Sequence, residues 1–473
     1  MKSCGMPWVV HLQIESTVKA ICGSLVETLP DAGEGTRADE RWYWAAPILL
    51  DSHNGLLDWC KSHSGWRSAT PDHESGTRFR DHIDLLVSMA EGNIPLGPQP
   101  DDLVDVLCDL ALAGPGVCAL RALRRIGAGL DASDPNLLSA AARIASGFRS
   151  LFNMPETIAM LRGSGEDTYW RLTLLYGIDG NLQSVLDEYV HVLRESLGLQ
   201  EHSPEGQVAG IADCIQSVLS LRTAQIRIDE IKMSGDGFAL DDFNTRCRFA
   251  LRFGDIRDDN NQALVRADSV RDAFNSPFRP FVLASTSIGQ EGLYFHTWCH
   301  AVVHWNLPSN PVDLEQREGR VHRYKGHAVR KNIAERYGLT ALSVAHEGGD
   351  PWQTLFQIAT QGKSNGHSDL IPYWIFEDGS ARVERRIPLL PYSKEVGKLK
   401  RLKQGLALYR MVFGQPRQED LLFSLSQNGN HESADLADWL ISLQPPETVL
   451  TDESAEENAL ILPPVKSVQG ISN

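Results

Sequence analysis

The chain has 473 residues, 42% hydrophobic and 22% charged, long enough for about two to four domains and more than one buried core. Its net charge of −16 excludes a protein that coats nucleic acid, though not a groove lined locally with cations, because binding responds to the local field. No run of about 18 apolar residues could span a bilayer, and "MKSCGMPWVVHLQIES" makes a poor signal peptide, so no membrane partner and a cytoplasmic location are expected.

The first 135 residues are expected to be mostly helical and accessory. "RWYWAAPILL" (41–50) suits a buried strand or a short packed helix, and 62–78 reads as a loop. Residues 100–127 predict a helical hairpin. Leu103, Val106, Leu107 and Leu110 recur at helical spacing before Gly114-Pro115-Gly116 breaks the run. From 136 to 240 the reading is a helical bundle or insertion, with Leu182, Val185, Leu186, Tyr189 and Val192 on one stripe and a further helix over 205–224. No fixed-period repeat occurs.

Near residue 245 the pattern changes. Strand-like "RFALRF" (248–253), a helix at 266–274, and the hydrophobic runs "FVLAST" (281–286) and "AVVHWNLP" (301–308) have the rhythm of a parallel α/β sheet over 241–350. Residues 351–473 form an extension. It holds predicted strands "LIPYWIF" and "RVERRIPLL", a basic helix around 396–413 and an acidic, flexible tail.

The eight cysteines, Cys4, Cys22, Cys60, Cys108, Cys118, Cys214, Cys247 and Cys299, are scattered without a C-x-x-C pair, which suits reduced thiols. "HTWCH" (296–300) lacks a second Cys/His cluster at ligand spacing. No zinc or other protein-bound metal is therefore expected, and the segment reads as a packed strand edge.

The chemistry concentrates in "DLEQREGRVHRYKG" (313–326). Asn310 can cap a helix, Pro311 can open it and Gly326 can close it, giving about fifteen residues. Gln316, Arg320 and Arg323 then fall at i, i+4 and i+7 on one stripe. Two guanidiniums on a stripe repel unless an anion lies before them, and their planar forks suit polyphosphate oxygens. Alone, such a pair reads as a solvated basic face. Upstream, however, a predicted strand runs into "STSIGQEG", where Gly289 and Gly292 let backbone approach a ligand and the hydroxyls of Ser285 and Thr286 can bond phosphate. In open α/β sheets, ligands gather at the carboxyl ends of strands, so the loop and the helix are expected to face one cleft.

Together, "LASTSIGQEGLYFH" and "HWNLPSNPVDLEQREGRVHRYKG" resemble motifs V and VI of superfamily 2 helicases, in particular the Swi/Snf and RapA-like DNA translocases. The resemblance spans about residues 266–330 and implies a second RecA-like lobe over 241–350. It further implies that Arg320 and Arg323 are arginine fingers and that Gln316, Gly289, Glu291 and Gly292 lie at the ATP site. Ser285, Thr286, Arg317 and Lys325 are expected to meet nucleic acid. "SIGQEG" departs from the commoner Swi/Snf loop, and no motif IV is placed.

A complete motor also needs G-x-x-x-x-G-K-[ST] and an acidic metal motif. The only G-K-S, Gly362-Lys363-Ser364, has Gln357 five residues before its glycine; "GSGEDT" (163–168) lacks lysine, and the Asp-Glu pairs of "RADERW" and "LTDESAE" sit in polar loops. The expectation is thus the carboxy-terminal half of an ATP-dependent DNA helicase or translocase, inactive alone. ATP and Mg2+ would engage only with a P-loop-bearing first lobe on another chain. The alternative is a non-hydrolysing module that binds nucleic acid, DNA or RNA, or a protein.

Overall fold

The computed structural model describes residues 8–412 apart from 31–32, 34, 52–54, 63–73, 128, 164–167, 222–224, 235–236, 247–261, 285–293, 345–348, 363–369, 377 and 390–392. Helices dominate the amino-terminal half: α1 (Trp8–Val26), α2 (Trp42–Leu49), α3 (Gly55–Ser62), α4 (Glu74–Ala90), α5 (Leu103–Ala113) and α6 (Pro115–Ile126), then α7 (Pro135–Phe152), α8 (Pro155–Arg162), α9 (Tyr169–Asp179), α10 (Leu182–Ser196) and α11 (Pro204–Leu219).

Local chemistry explains these boundaries. Proline, whose missing N–H costs nothing in a first turn, opens α6, α7, α8 and α11. Asp134 caps α7 by accepting from the Asn136 N–H at 2.8 Å, and Ser203 caps α11 by accepting from Gly206 N–H at 3.2 Å. A Cβ at Gly114 would lie 2.5 Å from the Leu110 carbonyl oxygen, so only glycine fits the break between α5 and α6. The expected hairpin is corrected: the two helices meet at a 42° bend and run on in nearly the same direction instead of folding back. As a bent pair, α5 and α6 have the length and apolarity of a span, but no single described helix is long and apolar enough to cross a membrane. Helices α6, α7, α10 and α11 bury Leu123, Leu137, Ile144, Leu186, Ile211 and Ile215 in one core. "RWYWAAPILL" resolves as the packed helix α2, with Trp42 fully buried.

An antiparallel hairpin follows, β1 (Gln225–Ser234) and β2 (Gly237–Arg246), pairing Ser234 with Gly237. The helical expectation for this stretch is corrected: the helix over 205–224 ends at Leu219, and the hairpin lies where a bundle or insertion was expected. The alternating Ile226 and Ile228, with the Gly-Asp-Gly at 235–237, were the overlooked signal.

After α12 (Gln262–Phe274), the α/β expectation is met only in part. Residues 281–284 form no strand, and Phe281 and Val282 are 75% and 80% exposed rather than buried. The run 301–308 is a strand only in β3 (Ala301–Val303). Downstream come α13 (Pro311–Glu318), α14 (His327–Val344), α15 (Pro351–Gln361), β4 (Glu384–Arg386) and α16 (Glu395–Val412). The strand expected at 370–376 is a turn, with the Trp374 N–H donating to Leu370 C=O at 2.7 Å, and that at 382–390 contracts to β4. β3 pairs with β4: Glu384 N–H donates to His300 C=O and His304 N–H to Arg386 C=O, the stepped pattern of parallel strands. "RFALRF" and the Ser285–Thr286 strand end lie outside the described residues.

The chain divides into two compact units, residues 1–302 with 317–385 and residues 303–316 with 386–473. The second has its own small core of Leu307, Leu314 and Leu402, with Ile387 and Leu399 against it. There the Lys398 ammonium donates to the Leu307 carbonyl at 2.6 Å.

Candidate functional site

The helix expected to run from Pro311 to Gly326 stops at Glu318. Beyond it the Glu318 carbonyl accepts from both Val321 N–H and His322 N–H at 2.9 Å, and the backbone is then drawn away by neighbouring loops. Phe295 N–H donates to Arg320 C=O at 3.0 Å, Lys325 N–H to Tyr373 C=O at 2.7 Å, and His327 N–H to His296 C=O at 2.9 Å. Lys325 takes a left-handed φ of 49°, and α14 begins two residues later. Arg320 and Arg323 therefore sit in a turn, not on a helical stripe. Gln316 lies exposed within α13. Helical periodicity predicted the wrong element because these long-range backbone bonds outcompete the next helical turn.

Two guanidiniums, Arg320 and Arg323, share that turn, and Arg317 stands just before it in the last turn of α13. Arg320 is buried, 6% exposed, and its guanidinium is made more acidic, first by burial and then by Arg317 and Arg323. Arg323 is half-buried, its Nε donating to Gly319 C=O at 2.9 Å and its guanidinium 4.4 Å from the Tyr294 ring centroid. Arg317 is half-buried. The carboxylate within the turn, Glu318, is buried and forked by Arg385, with Nη2 to Oε2 at 2.7 Å. The result is a cationic turn suited chemically to phosphate oxygens.

Lys325 serves a different contact from the one expected of it: its ammonium pairs with Glu195 of α10. Sequence reading did not single out Arg330. It is 5% exposed and donates to Lys325 C=O at 2.9 Å and Thr297 C=O at 2.7 Å, with Glu188 of α10 at 3.5 Å. Burial raises the Glu188 carboxyl, and Arg330 opposes that shift. Glu188 and Glu195, two helical turns apart, thus hold Arg330 and Lys325. Beside them, burial and nearby cations push His296 and His327 down to about 4. The Trp298 ring lies 5.6 Å from the Arg330 guanidinium, so "HTWCH" packs around this residue.

Ser285, Thr286, Gly289, Glu291 and Gly292 lie outside the described residues. Of the G-K-S, only Gly362 is described, directly after α15. Among the described residues no group of three or more His, Cys, Asp and Glu side chains is arranged to hold a metal ion.

No curated protein and no solved structure matches the chain. The family model of the helicase conserved C-terminal domain does match, over residues 262–325, from the start of α12 through the arginine turn to Lys325.

Proposed function

We propose that this chain is the carboxy-terminal half of an ATP-dependent DNA helicase or translocase of the Swi/Snf-like superfamily 2 branch, acting in the cytoplasm. Arg320 and Arg323 are its arginine fingers. Gln316, Gly289, Glu291 and Gly292 line the nucleotide, and Ser285, Thr286, Arg317 and Lys325 meet the nucleic-acid strand, for which Lys325 must release Glu195. The observation that carries this reading is the turn itself: a buried Arg320 crowded by two further guanidiniums, inside the segment that matches a helicase C-terminal domain. Cations held together in a partly desolvated turn are stabilised when anionic oxygen arrives, and most when charge develops on a transferring phosphoryl group.

Magnesium-bound ATP would supply that phosphoryl group, on a P-loop and acidic metal ligands belonging to a first lobe on another chain. This chain contributes the positive charge, with Gly319 and Tyr294 orienting Arg323.

Mixing the chain with the P-loop protein encoded beside it is expected to restore DNA-stimulated ATP hydrolysis. Arg320→Ala or Arg323→Ala should lower the turnover by about a thousandfold or more, the usual range for an arginine finger. Unchanged turnover would remove the finger role.

A second reading is a binding module without turnover. It is favoured by Arg323, already satisfied by Gly319 and Tyr294, and by the exposed Lys400 and Arg401 of α16. It predicts salt-dependent DNA binding that ignores nucleotide and survives Arg320→Ala.

A further inference from the structure

Next to the arginines, three aromatic rings form a column. Tyr324 lies flat on Tyr373, centroids 5.6 Å apart and planes within 9°, and Tyr373 lies flat on Phe356 at 5.2 Å and 6°. Phe356, the root, is 2% exposed, whereas Tyr324 at the outer end is 44% exposed. Trp374, 36% exposed, leans against Tyr324 at 6.3 Å and 64°. The backbone locks the two segments together: Lys325 N–H donates to Tyr373 C=O at 2.7 Å, and the His322 ring lies 3.0 Å from Trp374 C=O through Nε2.

Exposed aromatics held this rigidly are not loose surface residues. A ring fixed from beneath presents apolar area at little further cost in side-chain entropy. The preceding segment is cationic, with Arg317 at the end of α13 and Arg320 and Arg323 in the turn that follows. The nearby carboxylates are already engaged, Glu318 by Arg385 and Glu195 by Lys325. A flat aromatic surface with an ammonium beside it, the Lys325 Nζ lying 5.3 Å from the Tyr324 ring centroid, suits a nucleobase attached to a phosphate chain.

We infer that Tyr324 and Trp374 form a stacking platform for unpaired bases, so that the nucleic acid held beside the arginine turn is single-stranded. The inference rests on the proposed nucleic-acid role of this lobe and adds its substrate class. A duplex hides its base faces, so a stacking platform favours single strands, while phosphate contacts from Arg317 and Lys325 would serve either form.

The test uses the full chain in fluorescence anisotropy with a labelled oligothymidylate, an abasic strand of the same length, and a duplex. The wild type is expected to prefer the oligothymidylate over the abasic strand by about tenfold, the scale of one stacked base. Tyr324→Ala should erase the preference and leave abasic binding unchanged; Tyr324→Phe, which keeps the flat ring, should retain it. Equal affinity of the wild type for all three probes would overturn the platform while leaving phosphate binding intact. A preference that survives Tyr324→Ala would overturn it too. So would a Tyr324→Ala defect confined to competition by ATP, because the ring would then serve adenine. Binding of none of the probes would sink the nucleic-acid role and the platform with it.

Discussion

In the bundle of α6, α7, α10 and α11 the residues shut away from solvent are Leu137, Ile144, Leu186, Ile211 and Ile215. Between Tyr294 and Arg330 they include Glu318, Arg320 and Arg330. The bundle is held by apolar burial, which is non-directional and tolerant of small shifts. The turn is held by directed contacts: carbonyls accepting from loop amides, Arg330 bridging two loops, and two glutamates of α10. Such contacts fix geometry more sharply than they add stability, as the proposed finger role would require. The helical region is consequently part of the site's scaffold as well as an accessory to it.

The strongest way to break this comparison is Arg330→Met. It removes the donors to Lys325 and Thr297 and leaves Glu188 without its partner. We expect a loss of about 3 kcal/mol in denaturant unfolding, at the low end for a broken buried pair because Glu188 keeps 32% of its side chain exposed. Ile144→Ala, a pure cavity in the bundle, should cost about 2–5 kcal/mol. An Arg330→Met cost below about 1 kcal/mol would show that the turn stands without its polar clamp.

The pH dependence sharpens the same contrast. His296 and His327 titrate near 4 in the folded chain against 6.5 in the unfolded one, so the unfolded state takes up protons first as pH falls. Their contribution is complete above about pH 6.5 and is lost progressively toward pH 4. His327→Gln should flatten part of this slope, followed as unfolding midpoint against pH; a slope unaltered by the substitution would mean that His327 is not held neutral by its surroundings.

The smallest effect is expected from Glu195→Gln. Its pair with Lys325 is partly exposed, so stability should change by less than about 1 kcal/mol. Hydrogen exchange at residues 322–327 should nevertheless rise while the bundle amides stay unchanged, because the contact positions the turn more than it stabilises the fold. Uniform exchange in both regions would remove that distinction.

Much of the helical half was legible because its information is local. Leu103 through Leu110 repeat at helical spacing, Gly114-Pro115 breaks the run, and Asp134 and Ser203 stand where caps are needed; each feature acts within about five residues. The hairpin at 225–246 was equally local and was missed by following helical spacing too far. At the site, the order of residues from Gly289 to Arg323 was enough to suggest a phosphate-facing loop and helix and a helicase resemblance. Its geometry was not readable, since Gly326 looked like a sufficient helix stop and the real one lies eight residues earlier, where Tyr373, Phe295 and His296 take over the backbone bonds.

The sequence by itself determined which residue types meet: a run of arginines, the aromatics of 294–298 and 370–376, and apolar stripes that must be buried. Only the tertiary structure decided that Arg330 is buried, that Lys325 faces Glu195, and that Tyr324 caps a column rooted in Phe356. Periodicity reports on neighbours three or four residues away. Those contacts join residues 17 to 142 positions apart, and their energies depend on a desolvated environment that exists only once the distant segments have packed.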